Sequence, residues 1–176
     1  MDRHILDFYA IPGPMTDIGK YEDQIKKLPD DVGEMARIIQ GLVIHQFLAE
    51  PFHGVSIPDE RKQEMQIRKV TGMIDALLDV DNQALNTERP PEKRFAGICR
   101  NFGMIMVALL RAKGIPARSR YGFAAYFNPP YYEDHHVCEW WDANEKRWVL
   151  VDAQLDGDVW KKNLGYTFDP LDVPRD

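Results

Sequence analysis

The hydrophobic period of the chain changes once, and that change constrains the fold more than any other feature. Up to Lys113 apolar residues recur at steps of three and four; beyond Pro116 they alternate. The first period belongs to helices that bury one face, the second to half-buried strands. Ile18, Tyr21, Ile25 and Leu28 predict a helix that Pro29 stops. Val32, Met35, Ile39 and Leu42 predict another behind Asp30-Asp31, closed by Pro51. Negative charge at its start suits the positive end of the helix dipole. A third helix is expected from Pro58 to about Leu78, with Ile67, Val70, Ile74 and Leu77 facing inward. Residues 79–97, with Pro90-Pro91 and the basic cluster Arg89, Lys93 and Arg94, read as loop. The fourth helix is the clearest. It runs from near Gly97-Ile98-Cys99 to about Lys113, where Gly114 can cap it and Pro116 prevents continuation.

Three strands are expected after that, at 117–125, 137–141 and 147–152. Residues 142–146 supply the turn between the last two. The aromatic stretch 126–133 reads as a loop, and its Tyr126, Phe127, Tyr131 and Tyr132 as the lip of a cleft or a surface clamp. Past Asp156 the pattern weakens, and residues from Tyr166 onward, with Pro170 and Pro174, are expected to be extended and loosely held. Helices followed by an antiparallel meander make an α+β architecture, with helices on one side of a small sheet. The expected organisation is a single domain over 1–176: a helical part to about 96, a core at about 97–156 and a C-terminal tail at 157–176.

Charge narrows the function. A net charge of −6 argues against a general nucleic-acid binder. No apolar run approaches the roughly 20 residues that span a bilayer, so no membrane role is expected. The opening Met-Asp-Arg-His-Ile-Leu-Asp lacks the basic-then-apolar build of a secretion signal. Two cysteines make no disulfide framework in a chain of 176 residues, and the expected compartment is the reducing cytoplasm. Composition is silent on oligomeric state.

A thiol acts as a nucleophile only as thiolate, and a helix N-terminus favours that form through its unpaired N–H groups and dipole. Cys99 has such a position, behind a glycine. The plain alternative is a buried structural cysteine. A cysteine nucleophile also needs a base, and the base an orienting group. If 137–141 and 147–152 form a hairpin with Ala143 opposite Lys146, paired residue numbers sum to 289, and Val137 faces Asp152. Side chains alternate between faces. His135 and Asp152 then share a face as diagonal neighbours, with Cβ atoms ~7–8 Å apart or less. His136 points the other way, and a slip of one residue would exchange the two histidines.

Four blocks carry a resemblance: Gly97-Ile-Cys-Arg-Asn-Phe102, Leu109-Leu-Arg-Ala-Lys-Gly-Ile-Pro-Ala-Arg118, Asp134-His-His-Val-Cys-Glu139 and Trp148-Val-Leu-Val-Asp152. In this order and spacing they resemble the transglutaminase-like superfamily, and more closely bacterial transglutaminase-domain proteins of unassigned substrate. The resemblance runs from about Arg89 to Asp156. It implies a papain-like α+β core, with Cys99 as nucleophile, Asp152 as orienter and His135, four residues before Glu139, as base. It implies acyl transfer at the amide of a peptide or protein, to water or to an amine, and no cofactor. Relatives tend to continue past a segment like 169–174, so the resemblance also implies a short or truncated form. Two other readings stay open. The fold can serve as a non-catalytic binding module, or His135, His136, Cys138 and Asp152 can be zinc ligands, although neighbours on a strand point apart. Glu139 reads as a buried ion-pair partner, and Arg111 and Arg118 as shaping a helix-to-strand corner.

Overall fold

The computed structural model describes residues 2–175. Its central element is helix α6, Cys99–Ala112. Phe102, Met106, Val107 and Leu110 on this helix are all but removed from water, and each contributes about 1.5–3 kcal/mol over an exposed side chain. Gly114, in the left-handed region at φ 73°, ends it where the sequence predicts.

Strands β3 (Ala117–Asn128), β4 (Tyr131–Asp142) and β5 (Arg147–Val151) form an antiparallel meander in the order β3-β4-β5. Cys138 pairs with Val151 and Trp141 with Trp148, which is the register of the 289 sum. Cys138, Ala117 and Val151 belong to the core that also holds the apolar face of α6. Glu139 leaves the sheet on its other side. It is 1% exposed and is held by Arg118 at 2.5 Å and Arg175 at 2.5 Å. The buried carboxylate stays charged because guanidinium partners replace its water.

Around α6 pack α2 (Glu22–Lys26), α3 (Val32–Leu42) and α5 (Val70–Val80), through Ile25, Met35, Ile39, Val70 and Met73. Asp31 caps α3 by accepting from the Glu34 N–H at 2.8 Å. The mixed helix and sheet architecture is thus the α+β class of the sequence reading.

The structure corrects several element boundaries. A helix, α1 at Arg3–Ala10, precedes the first expected one and buries no residue fully. The second expected helix stops at Leu42, and the chain continues as strand β1, Val43–His45. Helix α4, Ala49–His53, follows it. Residues 59–61 and 64–66 are short 3-10 turns, so the third expected helix begins only at Val70. The 79–97 loop ends in strand β2, Phe95–Gly97, which pairs in parallel with β1. Arg89 and Arg94 are not a basic surface. Arg89 is buried and donates to the carbonyls of Gln83, Ala84 and Thr87, holding the loop closed, and Arg94 donates to the Arg89 carbonyl. The aromatic stretch 126–133 belongs mostly to the β3–β4 hairpin, because cross-strand pairing continues to Asn128 and Tyr131.

The tail is the largest correction. It carries helix α7, Val159–Leu164, and does not hang free. Tyr166 and Val173 are buried, the Asp152 N–H donates to the Pro170 carbonyl at 2.8 Å, and the Val173 N–H donates to Leu150 at 2.9 Å. Among the described residues no helix is long and apolar enough to cross a membrane, and both cysteines are free thiols.

Candidate active site

Cys99 is the first residue of α6, and the backbone before it is held from two sides. The β1–β2 pair sets His45 beside Gly97, and the Gln46 N–H donates to the Gly97 carbonyl at 2.8 Å. Fully buried Asn101 accepts from the Ile98 N–H at 2.9 Å and donates to the Ile67 carbonyl at 3.1 Å. Position 97 must be glycine for this clamp to close. A Cβ there would lie 2.9 Å from the Asn101 Cβ and 3.1 Å from a Phe95 ring carbon. Gly97→Ala is expected to cost about 1–3 kcal/mol, the usual range for overpacking, and to slow alkylation of Cys99 by displacing the helix start. Thermal melting and a labelling time course check both effects.

One turn along, α6 crosses β4 at Gly103, whose added Cβ would lie 3.4 Å from the Val137 carbonyl carbon. That close approach brings the start of the helix to the His135 end of β4. His135 is 5% exposed and Asp152 1%. Nε2 of His135 lies 2.8 Å from Oδ2 of Asp152. A carboxylate oxygen accepts, so Nε2 carries the hydrogen and Nδ1 is left for the thiol of Cys99. The second Asp152 oxygen accepts from the Gln154 N–H at 3.1 Å.

Burial by itself would push the His135 imidazole down. The Asp152 charge and hydrogen bond, joined by those of Cys99, outweigh it and lift His135 to about 10. Its pairing with a carboxylate and a thiol therefore favours the imidazolium. His45, at the end of β1, is lowered to about 4 by burial and by the nearby His135, so it is a neutral imidazole.

The structure brings Cys99, His135 and Asp152 together. His136 stands apart, beside Ser119 Oγ at 3.4 Å and the Tyr121 ring, whose centroid is 4.6 Å away. Cys138 is fully buried in the core, where burial pushes its thiol up. Among the described residues no group of three His, Cys, Asp or Glu side chains converges as a metal set would.

Two of the four aromatic residues expected at a cleft lip, Tyr126 and Phe127, form the wall of the site, and what the sequence does not reveal is their contact with the candidate triad. Their rings pack on His135 with centroids 6.0 and 4.7 Å away, and the Tyr126 hydroxyl donates to Oδ2 of Asp152 at 2.8 Å. Trp160 and Phe168 from the tail back them, at 6.3 Å from Phe127 and 5.0 Å from Tyr126. Tyr131 and Tyr132 do lie exposed. An aromatic pair eight residues before the histidines was the one signal available, and it becomes informative only if β3 extends through it.

Comparisons with known proteins bear on the fold and the family. The crystal structure of a candidate cysteine protease from Cytophaga hutchinsonii superposes with a TM-score of 0.55 at 20% identity, over 93% of this chain and 45% of that one. This chain therefore spans less than half the length of that protein. The periplasmic domain of TgpA from Pseudomonas aeruginosa is 21% identical over 77% of this chain and 52% of that one, with a looser TM-score of 0.32. No curated protein matches the sequence significantly. The sequence model of the transglutaminase-like superfamily matches residues 59–153, which is more than half of the chain and spans both Cys99 and Asp152, and the chain belongs to that superfamily.

Proposed function

We propose that this chain is a cysteine-dependent acyl-transfer enzyme acting at the amide of a peptide or protein, with Cys99 as nucleophile, His135 as base and acid, and Asp152 as the group that orients His135. The observation that carries this reading is the 2.8 Å bond from His135 Nε2 to Asp152, which leaves the other ring nitrogen for a cysteine at a helix start.

Cys99 gives its proton to Nδ1 of His135, and the sulfur attacks the amide carbon. The carbonyl π electrons move to oxygen. The Cys99 N–H, in the first turn of α6 where donors lack intrahelical partners, is the natural donor to that oxyanion. As the tetrahedral centre collapses, the C–N bond breaks and the imidazolium returns its proton to the leaving amine. Water or an amine then attacks the thioester, loses its proton to His135, and releases the product and the Cys99 thiol. Water as acceptor makes a hydrolase, an amine a transferase.

The test is selective alkylation. Iodoacetamide near pH 6 should modify Cys99 at least about tenfold faster than Cys138, because the thiolate form reacts and only Cys99 has an imidazolium beside it. Peptide mapping by mass spectrometry separates the two thiols. Equal labelling, or labelling of Cys138 first, would remove Cys99 from the role and leave the non-catalytic binding module as the better reading. Profiling with a peptide-amide library, with and without an added primary amine, then distinguishes hydrolysis from transfer.

A further inference from the structure

Asp152 receives two more donors than a triad requires. Its Oδ2 accepts from His135 Nε2 and from the Tyr126 hydroxyl, each at 2.8 Å, and its Oδ1 from the Gln154 N–H at 3.1 Å. The phenol is held in place. Its ring lies between Phe127 and Phe168, with centroids 4.7 and 5.0 Å away, and edge-on to the His135 ring. Two donors therefore compete for the charge of one buried oxygen.

We propose that Tyr126 is a positioning residue of the candidate triad, whose hydroxyl fixes the Asp152 carboxylate and, by drawing charge at the shared oxygen, limits how firmly that oxygen holds the proton of His135. The physical reason is direct. A hydrogen bond to a carboxylate places the positive end of an O–H dipole against it and weakens its field at the other partner. In a dry site that loss is not masked by solvent. A phenol suits the task because it stays protonated here: burial first, then the nearby Asp152 charge, pushes Tyr126 far up. The proposal rests on the His135–Asp152 pair and not on the identity of the substrate.

Other groups face the pair from each packed element. They are Cys99 from α6, His45 from β1 and Tyr166 from the tail, while His136, next in β4, turns to Ser119 and Tyr121. His45 is neutral through the relevant range, and Tyr166 is pushed up to about 12 by burial and the neighbouring Asp156. Neither changes charge where His135 titrates.

The experiment follows the five histidines of the intact chain by NMR, with nitrogen-labelled imidazoles titrated from neutral to alkaline pH. Tyr126→Phe keeps the ring and removes the donor, so the His135 midpoint should rise by about half a pH unit or more, the scale of one redistributed charge-assisted hydrogen bond. Site-specific replacement of Tyr126 by 3-fluorotyrosine keeps the fold and strengthens the donor, so the midpoint should fall. Opposite shifts in the two variants support the proposal. An unchanged midpoint in both, or a shift of the same sign, overturns it and leaves Tyr126 as packing alone. If Tyr126→Phe does not fold, the fluorinated protein decides: a fall supports the proposal, and no change or a rise overturns it. The readout needs no thiol chemistry, so it stands apart from the alkylation test of Cys99.

Discussion

Asp152→Asn is expected to reduce turnover by about 10⁴, the loss that follows when a neutral amide replaces the carboxylate behind a catalytic imidazole, with little change in melting temperature. The carboxylate accepts three hydrogen bonds, from His135, Tyr126 and the Gln154 N–H. An asparagine has one oxygen for them and one amide nitrogen that only donates. If its oxygen takes the Oδ2 place, the His135 and Tyr126 bonds survive but no negative charge stabilises the imidazolium. If the amide nitrogen takes that place, it confronts the Nε2–H, and His135 must move its proton to Nδ1, which then cannot accept from Cys99. Either arrangement removes the Asp152 charge, first among the causes that lift His135 to about 10, and burial then weighs more heavily against the imidazolium. The sign follows. In the parent the imidazolium persists through neutral pH and is lost only as pH rises towards 10; in the variant it is lost at lower pH. Alkylation of Cys99 near pH 6 should slow together with turnover. A variant that keeps its full rate removes Asp152 from the site.

The parts of this site that sequence revealed are those set by local rules. The β4–β5 register follows from the short connection 143–146 and an alternating pattern, and it places His135 with Asp152 and His136 away from it. The same alternation placed Glu139 on the His135 side, where it is buried among arginines. The start of α6 was legible because glycine and proline bracket a strong apolar stripe.

What sequence concealed depends on distant partners. Val43, Ile44 and His45 prolong the apolar pattern of a helix, yet they form a strand because Phe95–Gly97 pairs with them; tertiary pairing overrides local preference. That pairing also brings His45 beneath the site. Arg118 lies on Glu139 and over the Trp148 ring, 4.1 Å from its centroid, while Arg111 braces the helix-to-strand corner by donating to the Ala117 carbonyl at 2.8 Å. Helix α1 escaped notice because it buries no residue fully and so leaves no core stripe to read. The tail is illegible for a related reason: Tyr166 and Phe168 pack together beside Trp160 while Val173 is buried apart from them, and too few apolar residues recur to mark an element.

Deleting residues from Tyr166 onward is therefore expected to unfold the chain or lower its melting temperature by more than about 10 °C, the reverse of what its proline content suggests. Burial of Tyr166 and Val173 contributes about 1.5–3 kcal/mol each. Removing Pro170 strips the Asp152 N–H of its acceptor, a buried donor worth about 1–3 kcal/mol when left unpaired. Arg175 leaves Glu139, and Asp172 leaves Arg147. Together these losses rival the roughly 5–15 kcal/mol that hold a domain folded. The deletion also opens the site, since Phe168 backs Tyr126 and the Pro170 carbonyl anchors the backbone of Asp152 itself. Phe168→Ala separates the two effects. It removes the ring behind Tyr126 and keeps the backbone anchor, so it should lower the melting temperature modestly and slow Cys99 alkylation by a larger factor. A deletion that melts within about 2 °C of the parent, no more than the shift expected from 1 kcal/mol, would mean that the tail rests on the sheet without stabilising it.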